Sequence, residues 1–162
     1  MGLTHRHSFA LAAMIALTPG LAAADDFAVG SLIVPMDTTF QDMGMLEAYG
    51  LVYELLRQNV PVRWVIKVGK ASGAADFTAA GTDLRSGAAV PSHDYRGGPW
   101  VIDAADAAAA MPVIKAWQAK NLATAVHVST VVFSGDVART LLVAPNIAMM
   151  ADGNQKIARK YM

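Results

Sequence analysis

The polar residues that could do chemistry cluster after the first predicted strand, in the segment MDTTFQD at residues 36–42. Carboxylate, hydroxyl and amide groups stand there just before a predicted helix, on Asp37, Thr38, Thr39 and Gln41. Such groups, together with the free amides of a helix N-terminus, can hold an anion or another polar group. The same side chains can instead cap the helix by accepting hydrogen bonds from its first N–H groups.

A second candidate lies after the fourth predicted strand, where Ser134 begins a turn. The arrangement is similar to a nucleophile elbow, in which a tight turn exposes a serine above a sheet, but both glycines of that motif are replaced. Ser134 could therefore simply be a helix cap. His93 could act as a base for Ser134 or beside Asp37, whereas His127 lies inside a predicted strand, where a core role is favoured.

Composition and motifs argue against several classes of site. The chain has no cysteine, which excludes disulfides, thiolate metal sites and a cysteine nucleophile. Neither a metal-binding histidine motif nor a glycine-rich phosphate loop is present, so we predict no metal and no other cofactor. With 13 basic and 13 acidic residues the chain has no net charge, and we expect no nucleic-acid partner.

The amino-terminal 24 residues have the layout of a signal peptide. A short basic start precedes an apolar run, and small residues precede the predicted cleavage site after Ala24. The apolar run is roughly half the ~20 residues that a membrane-spanning helix needs, although an uncleaved anchor is an alternative. We therefore predict a signal peptide over residues 1–24 and a periplasmic or secreted mature protein without stable membrane insertion.

Apolar periodicity predicts one α/β domain over residues 25–162. Strands are predicted at 31–35, 62–68, 100–102, 125–133 and 141–144, and helices at 43–59, after Asp103 and at 154–162. Strands that alternate with helices imply a mainly parallel sheet. The predicted fold class is a three-layer, Rossmann-like α/β domain with a mostly parallel, five-stranded sheet of flavodoxin-like order. In that order Asp103 would meet Asp37 at the carboxyl edge of the sheet.

Two further expectations concern packing and a long connection. The helix over 43–59 is expected to bury one apolar stripe, formed by Leu46, Tyr49, Val52, Tyr53 and Leu56. The glycine-rich segment 68–98 is longer than an ordinary loop and would be either a lid over the site or a disordered insertion. As a lid it could bring Lys70, Ser72 or His93 over the expected site at Asp37 and Asp103.

Three segments resemble exported bacterial α/β domains related to the class I glutamine amidotransferase-like fold. They are MDTTFQDMGMLEAYGLVYELLRQNVPVRWVIK at residues 36–67, YRGGPWVIDAADAA and LLVAPNIAMM. The resemblance implies a parallel α/β fold. Catalytic members use a cysteine with histidine and glutamate partners, so a chain without cysteine is not a thiol-dependent amidotransferase. Non-catalytic relatives serve as sensing or accessory domains within longer chains, and this chain could be such a fragment.

Two functions follow from these observations. The favoured one is an exported, non-catalytic binding or accessory domain for a small polar ligand or a protein partner. Its expected site consists of Asp37, Thr38, Thr39, Gln41 and Asp103. The alternative is a cofactor-free periplasmic hydrolase that uses Ser134 or Asp37 with His93.

Overall fold

The computed structural model describes residues 24–41 and 45–145. The predicted terminal helix at 154–162, and the predicted signal peptide except for Ala24, lie outside these residues. The described chain forms, in order, β1 (Ala24–Phe27), β2 (Leu32–Val34), α1 (Thr38–Gln41), α2 (Met45–Arg57), β3 (Val62–Val65), β4 (Phe77–Asp83), β5 (Ala89–Tyr95), β6 (Trp100–Ile102), α3 (Ala107–Gln118), β7 (His127–Ser129) and β8 (Phe133–Leu141). Among the helices in these two ranges, none combines the length and the apolar character needed to cross a membrane.

The strands form one sheet in the order β1-β8-β3-β6-β2-β7-β4-β5, and every neighbouring pair is antiparallel. β6 lies between β2 and β3, which α2 connects, so these elements form a split β-α-β unit. β2 likewise lies between β6 and β7, which α3 connects. The two interlocked units have the β-α-β-β-α-β succession of ferredoxin-like folds. The hairpin of β4 and β5 extends one edge of this core, and β8 and β1 extend the other.

Both faces of the sheet are buried, each in a different way. α2 and α3 cover one face over a large apolar cluster. On the other face the sheet curls into a half-barrel, so that Phe77 of β4 stacks on Phe133 of β8 with ring centroids 4.6 Å apart. This concave inner face holds a second cluster, made of Phe27, Ile33, Val65, Phe77, Ala79, Tyr95, Val101 and Phe133. We call these residues the inner cluster.

The predicted parallel α/β class is wrong. The eight-stranded antiparallel sheet also overturns the Rossmann-like and flavodoxin-like assignments and the resemblance to the glutamine amidotransferase-like fold, which require a parallel sheet. The strands joined by α2 run in the same direction, as expected, but β6 separates them. A crossover helix sets the relative direction of two strands and leaves open whether another strand lies between them.

Two other errors come from strand boundaries. Of the predicted strand 125–133, residues 127–129 form β7 and residue 133 begins β8, and only the first residue of the predicted strand 141–144 belongs to β8. The segment 68–98 is neither a lid nor a disordered insertion, because it contains the β4–β5 hairpin. In that hairpin Phe77 and Ala79 are two residues apart and both point into the inner cluster, which is the two-residue period of a strand.

The helix predicted over 43–59 is confirmed as α2, and Val52 and Leu56 are buried as expected, but the buried face is rotated away from Leu46 and Tyr49. The buried side chains of α2 are Ala48, Leu51, Val52, Leu55 and Leu56. Leu46 and Tyr49, which we expected to be buried, are 83% and 51% exposed. The apolar arc of the helix is wider than the surface that the sheet and α3 cover, so its margin faces outwards.

A buried carboxylate connects the hairpin to the core. The Oδ1 atom of Asp76 accepts a hydrogen bond from the N–H of Lys67 at 2.9 Å and forms an ion pair with Nζ of Lys70 at 2.7 Å. Its Oδ2 atom accepts from the N–H of Gly98 at 2.9 Å. The Asp76 side chain is completely buried. It thus fixes the segment after β3, the start of β4 and the β5–β6 turn relative to one another.

We predict that Leu51→Ala lowers the free energy of unfolding by about 2–5 kcal/mol, because Leu51 is fully buried on the inner side of α2 and its truncation leaves a cavity. Leu46→Ala is the matched control on the same helix and should change the stability by no more than about 0.5 kcal/mol. Urea denaturation of both variants measures the difference. Equal losses would contradict the assignment of the buried face.

Candidate functional site

Asp37 and His93, two residues singled out in the sequence, lie in contact. The Oδ2 atom of Asp37 is 3.1 Å from Nε2 of His93. The two side chains are 11% and 19% exposed, so solvent reaches the pair only at its margin. The other carboxylate oxygen of Asp37 accepts a hydrogen bond from the N–H of Thr39 at 3.1 Å. Asp37 therefore caps α1 and contacts His93 at the same time.

Strand pairing explains how His93 comes to this place. His93 is opposite Ala79, and Tyr95 is opposite Phe77, so both side chains lie on the inner face of the sheet. His127 of β7 is opposite Ile33 and lies on the same face. The pairing of β5 with β4 and of β7 with β2 thus brings His93, Tyr95 and His127 to one end of the inner cluster.

Phe40 of α1 joins the two histidines. Its ring packs edge-on against His93 at a centroid distance of 4.7 Å and against His127 at 4.4 Å. Gln41 holds the helix in place, since its amide donates to the carbonyl of Ala125 at 3.0 Å and accepts from the N–H of Ala125 at 3.1 Å. The predicted ligand group Gln41 is thus a buried clamp between α1 and the segment before β7.

His127 and Tyr95 form a second, buried pair. The hydroxyl of Tyr95 is 2.8 Å from Nδ1 of His127. Burial lowers the pKa of His127 to about 4; nearby Asp83 and Asp37 oppose this shift, and His93 adds to it. Burial also raises the pKa of Tyr95, and the negative charge of Asp37 adds to that shift. At neutral pH the imidazole is therefore uncharged and the phenol keeps its proton.

The direction of this hydrogen bond follows from the partners present. Within residues 24–41 and 45–145, the hydroxyl of Tyr95 has one acceptor, which is Nδ1 of His127. We therefore assign the hydroxyl as the donor, so the ring hydrogen of His127 is on Nε2. In the same ranges, Nε2 is buried and has no hydrogen-bond partner.

The structure does not bring Asp103 to this site. β6 is antiparallel to β2, and Ile102 at its end pairs with Leu32 at the start of β2. The carboxyl ends of β2 and β6 therefore lie at opposite ends of this pair of strands, and the expected meeting of Asp103 with Asp37 is wrong. Asp103 instead accepts hydrogen bonds from Arg63 at 2.9 and 3.1 Å, beside a cavity of about 450 Å³.

The remaining candidates have separate positions. Ser134 lies on β8, where its hydroxyl donates to Asp26 at 2.6 Å, and it bonds to no histidine in the part of the chain that the structure describes. Thr38 and Thr39 are exposed beside Asp37. Lys70, expected over the site as part of a lid, is bound to Asp76.

Sequence reasoning missed two members of the cluster, Phe40 and Tyr95, whereas the core role predicted for His127 is confirmed by its complete burial on β7. The spacing of His93 and Tyr95, two residues apart, is the signal that could have placed them on one face of a strand. The position of His127 opposite Ile33 depends on pairing between distant strands and has no local signal. In the described ranges, no three potential metal-ligating side chains come close enough to hold an ion.

Comparison of the chain with protein-family models, with curated protein sequences and with solved structures finds no match. The site is therefore interpreted from its own geometry.

We predict that stability depends on the protonation of His127. The unfolded chain takes up this proton near pH 6.5, whereas the folded chain does so at about pH 4. As the pH falls from 7 to 4, the folded state should therefore lose about 3 kcal/mol through this group. Urea denaturation at both pH values should show this loss in the wild type, beyond the loss in His127→Phe. An equal loss in both proteins would contradict the shift.

Proposed function

We propose that the chain is an exported binding domain for a small polar ligand, and that the Asp37–His93 pair recognises this ligand. The 3.1 Å contact between Oδ2 of Asp37 and Nε2 of His93 carries the proposal. A carboxylate only accepts hydrogen bonds, so Nε2 carries the hydrogen of the neutral ring. Nδ1 of His93 is then an acceptor with a defined orientation.

The accessibility of this nitrogen supports the proposal. Nδ1 of His93 bonds to no residue of the described ranges, and it is not among their buried unpartnered atoms. The exposed hydroxyls of Thr38 and Thr39 border the same turn. A ligand that offers O–H or N–H donors, such as a polyol, a sugar or an amine, has the chemistry that fits an imidazole acceptor.

A second candidate function is hydrolysis, with His93 as a general base for water. The same contact favours it, because a carboxylate that fixes the ring orientation is one part of a general-base arrangement. Ser134 does not support a serine mechanism, since its hydroxyl is bound to Asp26 on another part of the sheet. Binding is the better supported function because it needs only the orientation of His93 by Asp37, whereas hydrolysis also needs groups that stabilise the transition state.

We predict that Asp37→Asn abolishes ligand binding with little loss of stability. The asparagine carbonyl can still accept from Thr39, but its amide donates to Nε2 of His93, so the ring hydrogen moves to Nδ1 and the acceptor is lost. Calorimetric titration against polyols, sugars and amines measures binding. The free energy of unfolding should change by no more than about 1 kcal/mol.

Asp94→Asn is the matched control for this experiment. Asp94 is the next residue to His93 on β5, and its carboxylate is exposed and accepts from Thr78 at 2.7 Å. This variant should bind as the wild type does. Binding that survives Asp37→Asn would contradict the proposed site, and turnover of p-nitrophenyl esters that Asp37→Asn removes would favour the hydrolase.

Export is the second part of the proposal, and the basic, apolar and small-residue order of residues 1–24 supports it. We predict that protein expressed in a Gram-negative host begins at Asp25 or within one or two residues of it. Intact-mass measurement of the periplasmic fraction tests this. Recovery from the cytoplasm with Met1 retained would contradict export.

A further inference from the structure

His127 has polar neighbours on two sides, Asp83 and Tyr95, and apolar neighbours on the other two, Ile33 and Phe40. Asp83 of β4 is opposite it in the sheet, Tyr95 of β5 bonds to its Nδ1, and Ile33 of β2 is its other neighbour. His93 and Asp37 add a second histidine and a carboxylate nearby. The ring of Phe40 covers it from α1.

We propose that the Tyr95–His127 pair is an acid-operated latch, in which a proton on His127 releases α1 and thereby separates Asp37 from His93. The latch itself needs only the geometry of α1. Its effect on the ligand rests on the proposed function of the Asp37–His93 pair.

The hydrogen bonds explain why a proton disturbs the closed state. In the neutral pair the Tyr95 hydroxyl donates to Nδ1 of His127. A protonated imidazole has hydrogens on both nitrogens and accepts none. The Tyr95 oxygen must then become the acceptor, and its own hydrogen loses a partner. Nε2 of His127, already without a partner in the described ranges, would carry part of a buried positive charge.

The surrounding charges do not balance the proton. Asp83 and Asp37 attract a charged His127, and His93 opposes it. Burial outweighs them and lowers the pKa of His127 to about 4, so the charged ring is unfavourable in the closed state. Any movement that hydrates the ring raises this pKa towards its ordinary value. Protonation and opening therefore favour each other.

α1 is the element that can yield. It has four residues, and it is held by the Gln41–Ala125 hydrogen bonds and by the packing of Phe40. By contrast, β4 and β7 are each paired with a strand on both sides, and β5 with β4. Displacement of Phe40 would let water reach Nε2 without breaking the sheet. Since Asp37 directly precedes α1 and caps it, the same displacement would remove its contact with His93.

The test follows the amide resonances of Phe40, Gln41 and Ala125 from pH 7 to pH 3.5, with far-UV circular dichroism at each point. No ligand is added. We expect a local transition with a midpoint between about pH 4, the pKa of the buried ring, and 6.5, its ordinary value, while the dichroism remains that of the folded protein. A transition of these amides that coincides with loss of the dichroism would overturn the latch.

Two variants of the pair and one control separate its parts. His127→Phe removes the titrating group and should abolish the transition. Tyr95→Phe removes the donor that favours the neutral ring and should move the midpoint to higher pH. His93→Gln retains His127 and should retain the transition. An unchanged transition in His127→Phe, or an unchanged midpoint in Tyr95→Phe, would overturn the latch, and Tyr95→Phe decides alone if His127→Phe does not fold.

The ligand experiment is separate from this one. Failure of Asp37→Asn to affect binding would remove the proposed function and leave the latch standing. A failed latch with binding lost in Asp37→Asn would leave the proposed function standing.

Discussion

The buried carboxylate of Asp76 is the interaction on which the position of the candidate site depends. It accepts hydrogen bonds from the N–H groups of Lys67 and Gly98 and forms an ion pair with Lys70, and it therefore joins the segment after β3, the start of β4 and the turn before β6. A buried carboxylate is tolerated only when its oxygens are paired in this way. Because β4 begins directly after Asp76, this contact fixes where the hairpin leaves the core. β5, the second strand of that hairpin, carries His93 and Tyr95.

The curl of the sheet brings the hairpin over the inner cluster, and two glycines permit it. A Cβ atom on Gly135 of β8 would lie 2.6 Å from a methyl group of Val65, and one on Gly81 of β4 would lie 2.7 Å from the carbonyl oxygen of Val128. Neither position can hold a side chain without displacing its neighbour. The stacking of Phe77 on Phe133 then fills the concave face with aromatic rings. The polar groups of Tyr95 and His127 lie at one end of the inner cluster, beside α1.

Local patterns predicted the elements well and their arrangement badly. The strand at 100–102 and the helices connecting same-direction strands follow from short-range periodicity. The helix α2 ends at Arg57, two residues before its predicted limit, and Asn59 after it has a positive φ of 57°. Adjacency of strands is a property of distant segments, so nothing near β2 shows that β6 pairs with it. The hairpin at 77–95 was hidden because glycine, alanine and serine dilute its alternating pattern. Its inward residues Phe77, Ala79 and Tyr95 show the period only once the faces are known.

The candidate site shows the same division. Asp37 was recognisable because a carboxylate at a helix start has local meaning, as a cap or as a ligand group. His93 was recognised as a mobile base in a loop, whereas it lies on a strand that fixes its ring against Phe40 and Tyr95. Asp103 was assigned on the assumption of parallel strands, and the antiparallel pairing of β2 with β6 places it at the opposite end of this pair of strands.

The cluster contains two hydrogen-bond chains, and Phe40 packs against a histidine of each. One runs from Thr39 through Asp37 to His93, and the other from Tyr95 to His127. The rings of His93 and Tyr95 also pack edge-on with centroids 4.9 Å apart, but no hydrogen bond among the described residues links the two chains. The two histidines therefore differ in chemistry although they lie on one face. His93 has a carboxylate beside it and partial access to solvent, which suits recognition, whereas the buried His127 has a phenol as its partner, which suits the holding of α1.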